Sequence, residues 1–293
     1  MMTRMLRALA ATLMLAAAAA SAQTPQEIET QSAFEAADRV KVAGPATVPL
    51  RDQATLKVPA GQVFVPMPDA GRLMEAMGNT PDPRLMGMVM PASGDLWIVA
   101  ITFVKEGYVK DDDARDWNAD ELLTGLREGT EAANAERTKR GFPALEVTGW
   151  AESPQYTAAT HRLVWSAKAR EMDAPASQGQ GVNYNTYTLG REGYISLNLI
   201  TDLDKLNAHR PVALTLLGGL DFNQGKRYAD FNRVTDNVAA YGLAALVGGA
   251  AAKKLGLFAV LLAFAAKFAK VLVVAGGAAL FGIAKLFGRK KEA

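Results

Sequence analysis

Residues 238–287 are almost entirely apolar and nearly half Gly and Ala, and they set the frame for everything upstream. Lys253, Lys254, Lys267, Lys270 and Lys285 interrupt the run, and Arg289, Lys290 and Lys291 close it. Such a stretch has no place on the surface of a soluble domain. Between Lys270 and Lys285 lie fourteen uncharged residues, VLVVAGGAALFGIA. With both lysine stems extended toward the headgroups, the apolar length reaches about 20 residues, enough for a bilayer core. A span at 268–288 is therefore expected, with 289–293 as a basic tail on the cytoplasmic side.

The half of the run ahead of that span reads differently. Gly242, Ala245, Gly249, Ala252, Gly256, Ala259, Ala263 and Ala266 recur at spacings of three and four. On a helix they form one seam of small residues along which a second backbone could approach. Lys253 and Lys254 make a deep crossing there costly. Residues 237–267 are accordingly read as a helix at the membrane, packed on a neighbour or lying at the interface, and capped at its start by Asp236, with a second span as the alternative.

At the other end, Arg4 and Arg7 precede an Ala-rich apolar run and the small-residue site Ala20-Ser21-Ala22. That pattern is a secretory signal at 1–22. The chain contains no cysteine, which excludes disulfides, thiol catalysis and Cys-based metal sites. Charge is divided along the chain. From Lys253 onward eight basic residues face only Glu292, whereas residues 23–252 carry 22 basic against 29 acidic residues. An acidic domain on a basic tail argues against nucleic acid as a partner and for membrane lipid.

Residues 23–221 read as an α+β domain, an antiparallel sheet flanked by helices. Short strands are expected at 46–50, 54–58 and 62–66, a helix at 69–77 and a strand at 84–90. The apolar run 95–105 is a strand covered on both faces. Asn118 and Glu121 mark the start of a helix that runs to Gly141 and Pro143. Strands follow at 144–150, 161–170, 182–191 and 193–202, then a helix at 203–217 interrupted by Pro211. Residues 222–236 read as a polar and aromatic connector leading to the membrane.

Several runs are distinctive: GYVKDDDARDWNADELL, RGFPALEVTGWAESPQYTAATHRLVW, NYNTYTLGREGY and GKRYADFNRVTDNVAAYGLAALVGG. Together they resemble a bacterial family of uncharacterised membrane-anchored proteins, domain of unknown function 2167. The resemblance implies an envelope location and a C-terminal membrane segment, and it implies no reaction, cofactor or catalytic residue. The element order is also similar, as an analogy of fold alone, to the photosystem-assembly type of α/β sandwich.

The residues supply few candidates for chemistry. Asp111, Asp112, Asp113 and Asp116 cluster as calcium ligands do, but lack the glycine and terminal glutamate of an EF-hand loop. Lying ahead of a helix, they also complement its dipole. His161 opens a strand whose inward face continues with Leu163, Trp165 and Ala167. His209 reads as a solvated turn residue. Arg162, Lys168 and Arg170, with Asn183, Asn185 and Asn198, could line a polar groove on the sheet. No cofactor is expected. The leading expectation is a non-enzymatic periplasmic binding module, anchored at the bacterial inner membrane and engaging an envelope protein. The alternatives are a homo-oligomeric membrane effector acting through the small-residue seam, and a metal-assisted hydrolase using the aspartate cluster.

Overall fold

The structure, a computed structural model, describes residues 25–248 except 78, 80, 93, 116, 140–142 and 176–179. The signal at 1–22, Asp116, the seam residues Gly249, Ala252, Gly256, Ala259, Ala263 and Ala266, and the membrane-flanking Lys270, Lys285, Arg289, Lys290 and Lys291 lie outside the described residues. No helix among the described residues is long and apolar enough to cross a membrane.

The chain opens with α1 (Pro25–Val40), then β1 (Val42–Ala43), β2 (Ala46–Leu50), β3 (Ala54–Val58) and β4 (Gln62–Pro66). Next come α2 (Asp69–Ala76), β5 (Leu85–Pro91), β6 (Ile98–Val104) and β7 (Tyr108–Lys110). A 3₁₀ turn (Asp112–Arg115) leads to α3 (Ala119–Lys139), followed by β8 (Leu145–Thr157), β9 (Arg162–Glu171), β10 (Gly181–Leu189) and β11 (Tyr194–Asp202). After a second 3₁₀ turn come α4 (Leu206–Gly219) and β12 (Leu220–Phe222). A third 3₁₀ turn (Tyr228–Asp230) precedes β13 (Val238–Gly242) and α5 (Ala245–Gly248). The fold is α+β, as the order of elements implied.

Eight strands form one antiparallel sheet in the order β1-β4-β5-β6-β11-β10-β9-β8. β10 and β11 lie near its centre, and every residue of β10 is buried. On one face Val99, Ile101, Tyr184, Ile195, Leu197 and Leu199 pack against α4 and a small sheet ordered β12-β3-β2. The opposite face is shared. Leu73 of α2 and Ala33 of α1 join Met88, Ile98 and Ile200 over one part of it. Leu122 and Leu126 of α3 join Leu163, Trp165 and Tyr187 over the other. β10 and β11 alternate even so, with Asn183, Asn185, Ser196 and Asn198 on the face opposite Tyr184, Leu197 and Leu199, and both faces are buried.

α3 begins where its cap requires. The Asn118 side chain accepts from the backbone N–H groups of Asp120 (2.9 Å) and Glu121 (3.4 Å). Asn134 on the same helix both donates to and accepts from the Leu145 backbone at 2.8 Å. That bond pair covers the exposed edge of β8 with a helix side chain.

Residues 222–248 depart from expectation. Val238–Gly242, expected to begin a helix, is a strand in parallel register with β7, Val238 opposite Tyr108 and Gly242 opposite Lys110. Asp236 caps no helix. Its carboxylate instead receives two bonds from Arg191, at 2.7 and 2.8 Å. The local sequence NVAAYG has too few residues and too little polar face for an isolated helix, and β7 offers an open edge. Of the seam residues described, Gly242 ends the strand and Ala245 begins α5.

Candidate functional site

The connector is stitched to the domain along its length. Asn223 donates through its backbone to Gln53 O and through its side chain to Asp52 O, both at 2.9 Å. The Lys226 ammonium lies 3.0 Å from Glu192 and 3.1 Å from Asp52. Arg227 bridges Gly190, and the Arg191 guanidinium clamps Asp236. Arg191 and a backbone N–H from Asn232 hold the Asp236 carboxyl well below its ordinary range.

The stitching converges on the loop after β7. Tyr228 is buried at the start of its 3₁₀ turn, and its hydroxyl reaches Val109 O at 2.9 Å and Asp111 Oδ1 at 3.1 Å. Its ring stacks on Tyr108 at 4.3 Å between centroids, and Phe231 stacks on the same Tyr108 at 3.9 Å. From the β8–β9 hairpin come two more groups. The Tyr156 hydroxyl donates to Asp111 Oδ2 at 2.5 Å, and His161 Nδ1 lies 3.1 Å from the Tyr156 oxygen and 3.4 Å from Asp111 Oδ2. His161 sits in the hairpin turn at φ 52°, its ring 4.1 Å from that of Tyr228.

Burial opposes ionisation of Asp111, but hydrogen bonds from Tyr156, Tyr228 and His161 outweigh it and hold the carboxyl below its ordinary value. Burial pushes the phenols of Tyr156 and Tyr228 up, with the Asp111 charge adding to the effect. Asp111 is thus a carboxylate held by two phenols and an imidazole.

Asp113, two residues on, does something else. Its oxygens accept from the backbone N–H groups of Leu243 and Ala244, each at 3.0 Å, at the junction of β13 and α5. Asp112 faces solvent. Asn118 caps α3, and Asp111 and Asp113 are directed to different partners. Among the described residues no group of three His, Cys, Asp or Glu side chains is placed to hold a metal.

A family model described as a protein of unknown function, DUF2167, matches residues 42–277. The chain belongs to that family. No curated protein matches it. Among solved structures, cyanobacterial PsbP (CyanoP) from Synechocystis sp. PCC 6803 is similar at 10% identity and a TM-score of 0.38. That match covers 62% of this chain and 91% of the other.

In this DUF2167 member His209 is buried, contrary to a solvated turn. Its Nδ1 lies 2.6 Å from Thr201 Oγ1 and its Nε2 3.2 Å from both Asp95 oxygens. The order hydroxyl, imidazole, carboxylate is that of a hydrolase triad, but the Thr201 hydroxyl is buried where a nucleophile must be open to substrate. The expected polar groove does not form either. Arg162 and Lys168 stand in register with Thr188 and Val182, on the face that carries Tyr184. Asn183, Asn185 and Asn198 are in register with Ala167, Trp165 and Ala100 on the opposite face. Arg170 pairs with Glu146. Sequence reasoning overlooked Tyr108, Tyr156, Tyr228 and Arg191, because each becomes informative only next to a partner remote in the chain.

Proposed function

We propose that the protein is a membrane-anchored envelope protein whose periplasmic α+β domain binds an envelope partner. Residues 268–288 cross the inner membrane once, 289–293 lie in the cytoplasm, and the signal at 1–22 is removed. What supports this reading is the attachment of residues 222–248. The segment immediately ahead of the apolar run is bonded to the domain through Asp113, Tyr228 and Asp236 rather than hanging as a free tether. A domain held this way keeps a fixed face toward the surface into which its tail inserts, which suits a module that presents a binding surface at a set height. The one array resembling a hydrolase triad among the described residues, Thr201–His209–Asp95, has its hydroxyl and imidazole buried away from substrate.

Cysteine labelling tests the topology, and the absence of native cysteine makes it clean. In cells with a permeabilised outer membrane, Lys253→Cys is expected to react with an impermeant maleimide, and Lys291→Cys to react only after the inner membrane is opened. Labelling of Lys291→Cys from outside, with Lys253→Cys protected, would replace the single span by a hairpin and remove the proposed orientation.

A further inference from the structure

The cluster around Asp111 has a donor set that the aspartate run alone lacks. Tyr156 Oη, His161 Nδ1 and Asp111 Oδ2 form a triangle with sides of 2.5, 3.1 and 3.4 Å. Adjacent donors of an octahedral ion with bonds of ~2.1 Å stand ~3.0 Å apart, so the triangle is one face of such a shell. Tyr228 Oη, 3.1 Å from the second oxygen of Asp111, is the nearest further donor. We propose that Asp111, Tyr156, His161 and Tyr228 bind a hard trivalent cation, with ferric iron as the biological case.

The chemistry of the four groups selects that class. Two phenolates and a carboxylate carry three negative charges, which three positive charges cancel, and the imidazole ligates as a neutral base. A divalent ion would leave a net negative charge in a partly buried site, which is costly. The phenolic proton of Tyr156 points at Asp111, and that of Tyr228 is shared between Val109 O and Asp111. Binding replaces those two protons by the ion and releases both to solvent, while Asp111 is already ionised. His161 then presents the Nδ1 lone pair with its proton on Nε2. Tyr228 gives up its bond to Val109 O, since a phenolate has no proton to donate. The side chains of His161 and Asp111 are 33% and 23% exposed, so the ion has a way in from solvent.

The ligands come from three separate stretches: the loop after β7, the β8–β9 hairpin and the connector. Loading would therefore bind the connector to the domain through metal bonds as well as through hydrogen bonds. This inference does not rest on the membrane topology, and the two fail separately.

The test uses the full-length chain in detergent and Fe(III) supplied as its nitrilotriacetate complex. The expected result is a visible phenolate-to-iron charge-transfer band that saturates at one ion per chain, with Ga(III) raising the melting temperature without colour. Tyr156→Phe and Tyr228→Phe are each expected to shift and weaken the band, since one phenolate remains, and to lower the affinity roughly ten- to a hundredfold. Should Tyr156→Phe fail to fold, His161→Ala in the exposed turn provides the second variant, with the same loss of affinity expected. Absence of the band, an unchanged affinity in Tyr156→Phe or His161→Ala, or stabilisation by Zn(II) or Mn(II) alone would overturn the proposal.

Discussion

Asp113 shows how one side chain in an acidic run is committed by what it faces. Its two oxygens accept from two backbone N–H groups at the junction of β13 and α5, that of Ala244 and that of Leu243, which also reaches Lys110 O at 3.0 Å. Gly242 belongs to the same arrangement, because a Cβ there would stand 2.4 Å from Asp113 Oδ2. Its lack of a side chain makes room for a carboxylate, whereas the sequence had suggested room for a second helix. Asp113→Ala is expected to cost about 1–3 kcal/mol locally, as charge-assisted bonds to buried donors are lost. Gly242→Ala should act on the same contact. In hydrogen-exchange measurements both substitutions should speed exchange at Leu243 and Ala244 and leave β10 and β11 protected.

At the scale of elements, the connector is the part whose hold depends on pH. The Asp236 carboxyl is depressed by Arg191, so its contribution is fully present above the unfolded carboxylate value of about 3.9. That contribution is lost as pH falls through the depressed folded value, and Asp111 changes in the same sense. Lowering the pH from neutral into the strongly acid range should therefore loosen 223–242 ahead of the central sheet, as followed by peptide-level hydrogen exchange. In Arg191→Met the segment should already exchange faster at neutral pH, and the acid-dependent increment should shrink. Gly107, at φ 92°, limits the same element from the other side. A Cβ there would meet Asn237 O at 2.7 Å, so Gly107→Ala should push β13 off β7. Patterning shows why β2, β3 and β4 could be read from the sequence, down to their end residues, while β7, β12 and β13 could not. The first three alternate or run apolar between Pro and Gly breaks. The others are three to five residues long and owe their existence to an edge supplied by a distant strand.

For the whole molecule, the large sheet with its two covered faces is the source of stability. Leu199 is fully buried at its centre. Leu199→Ala should lower stability by about 2–5 kcal/mol, read as a lower urea midpoint at unchanged slope. The fold class was legible in the order and periodicity of the elements. The site was not, because Asp111, Tyr156 and Tyr228 stand 45 and 117 positions apart and no local pattern relates them. The clasp also has a consequence in time. Asp113 meets Leu243 only 130 residues later in the chain. At synthesis rates of about 5–20 residues per second, β7 and its carboxylates wait on the order of ten seconds for their partners. The domain therefore stays unfinished until β13 and α5 have been made, and its completion is clocked by the arrival of the last described part of the chain.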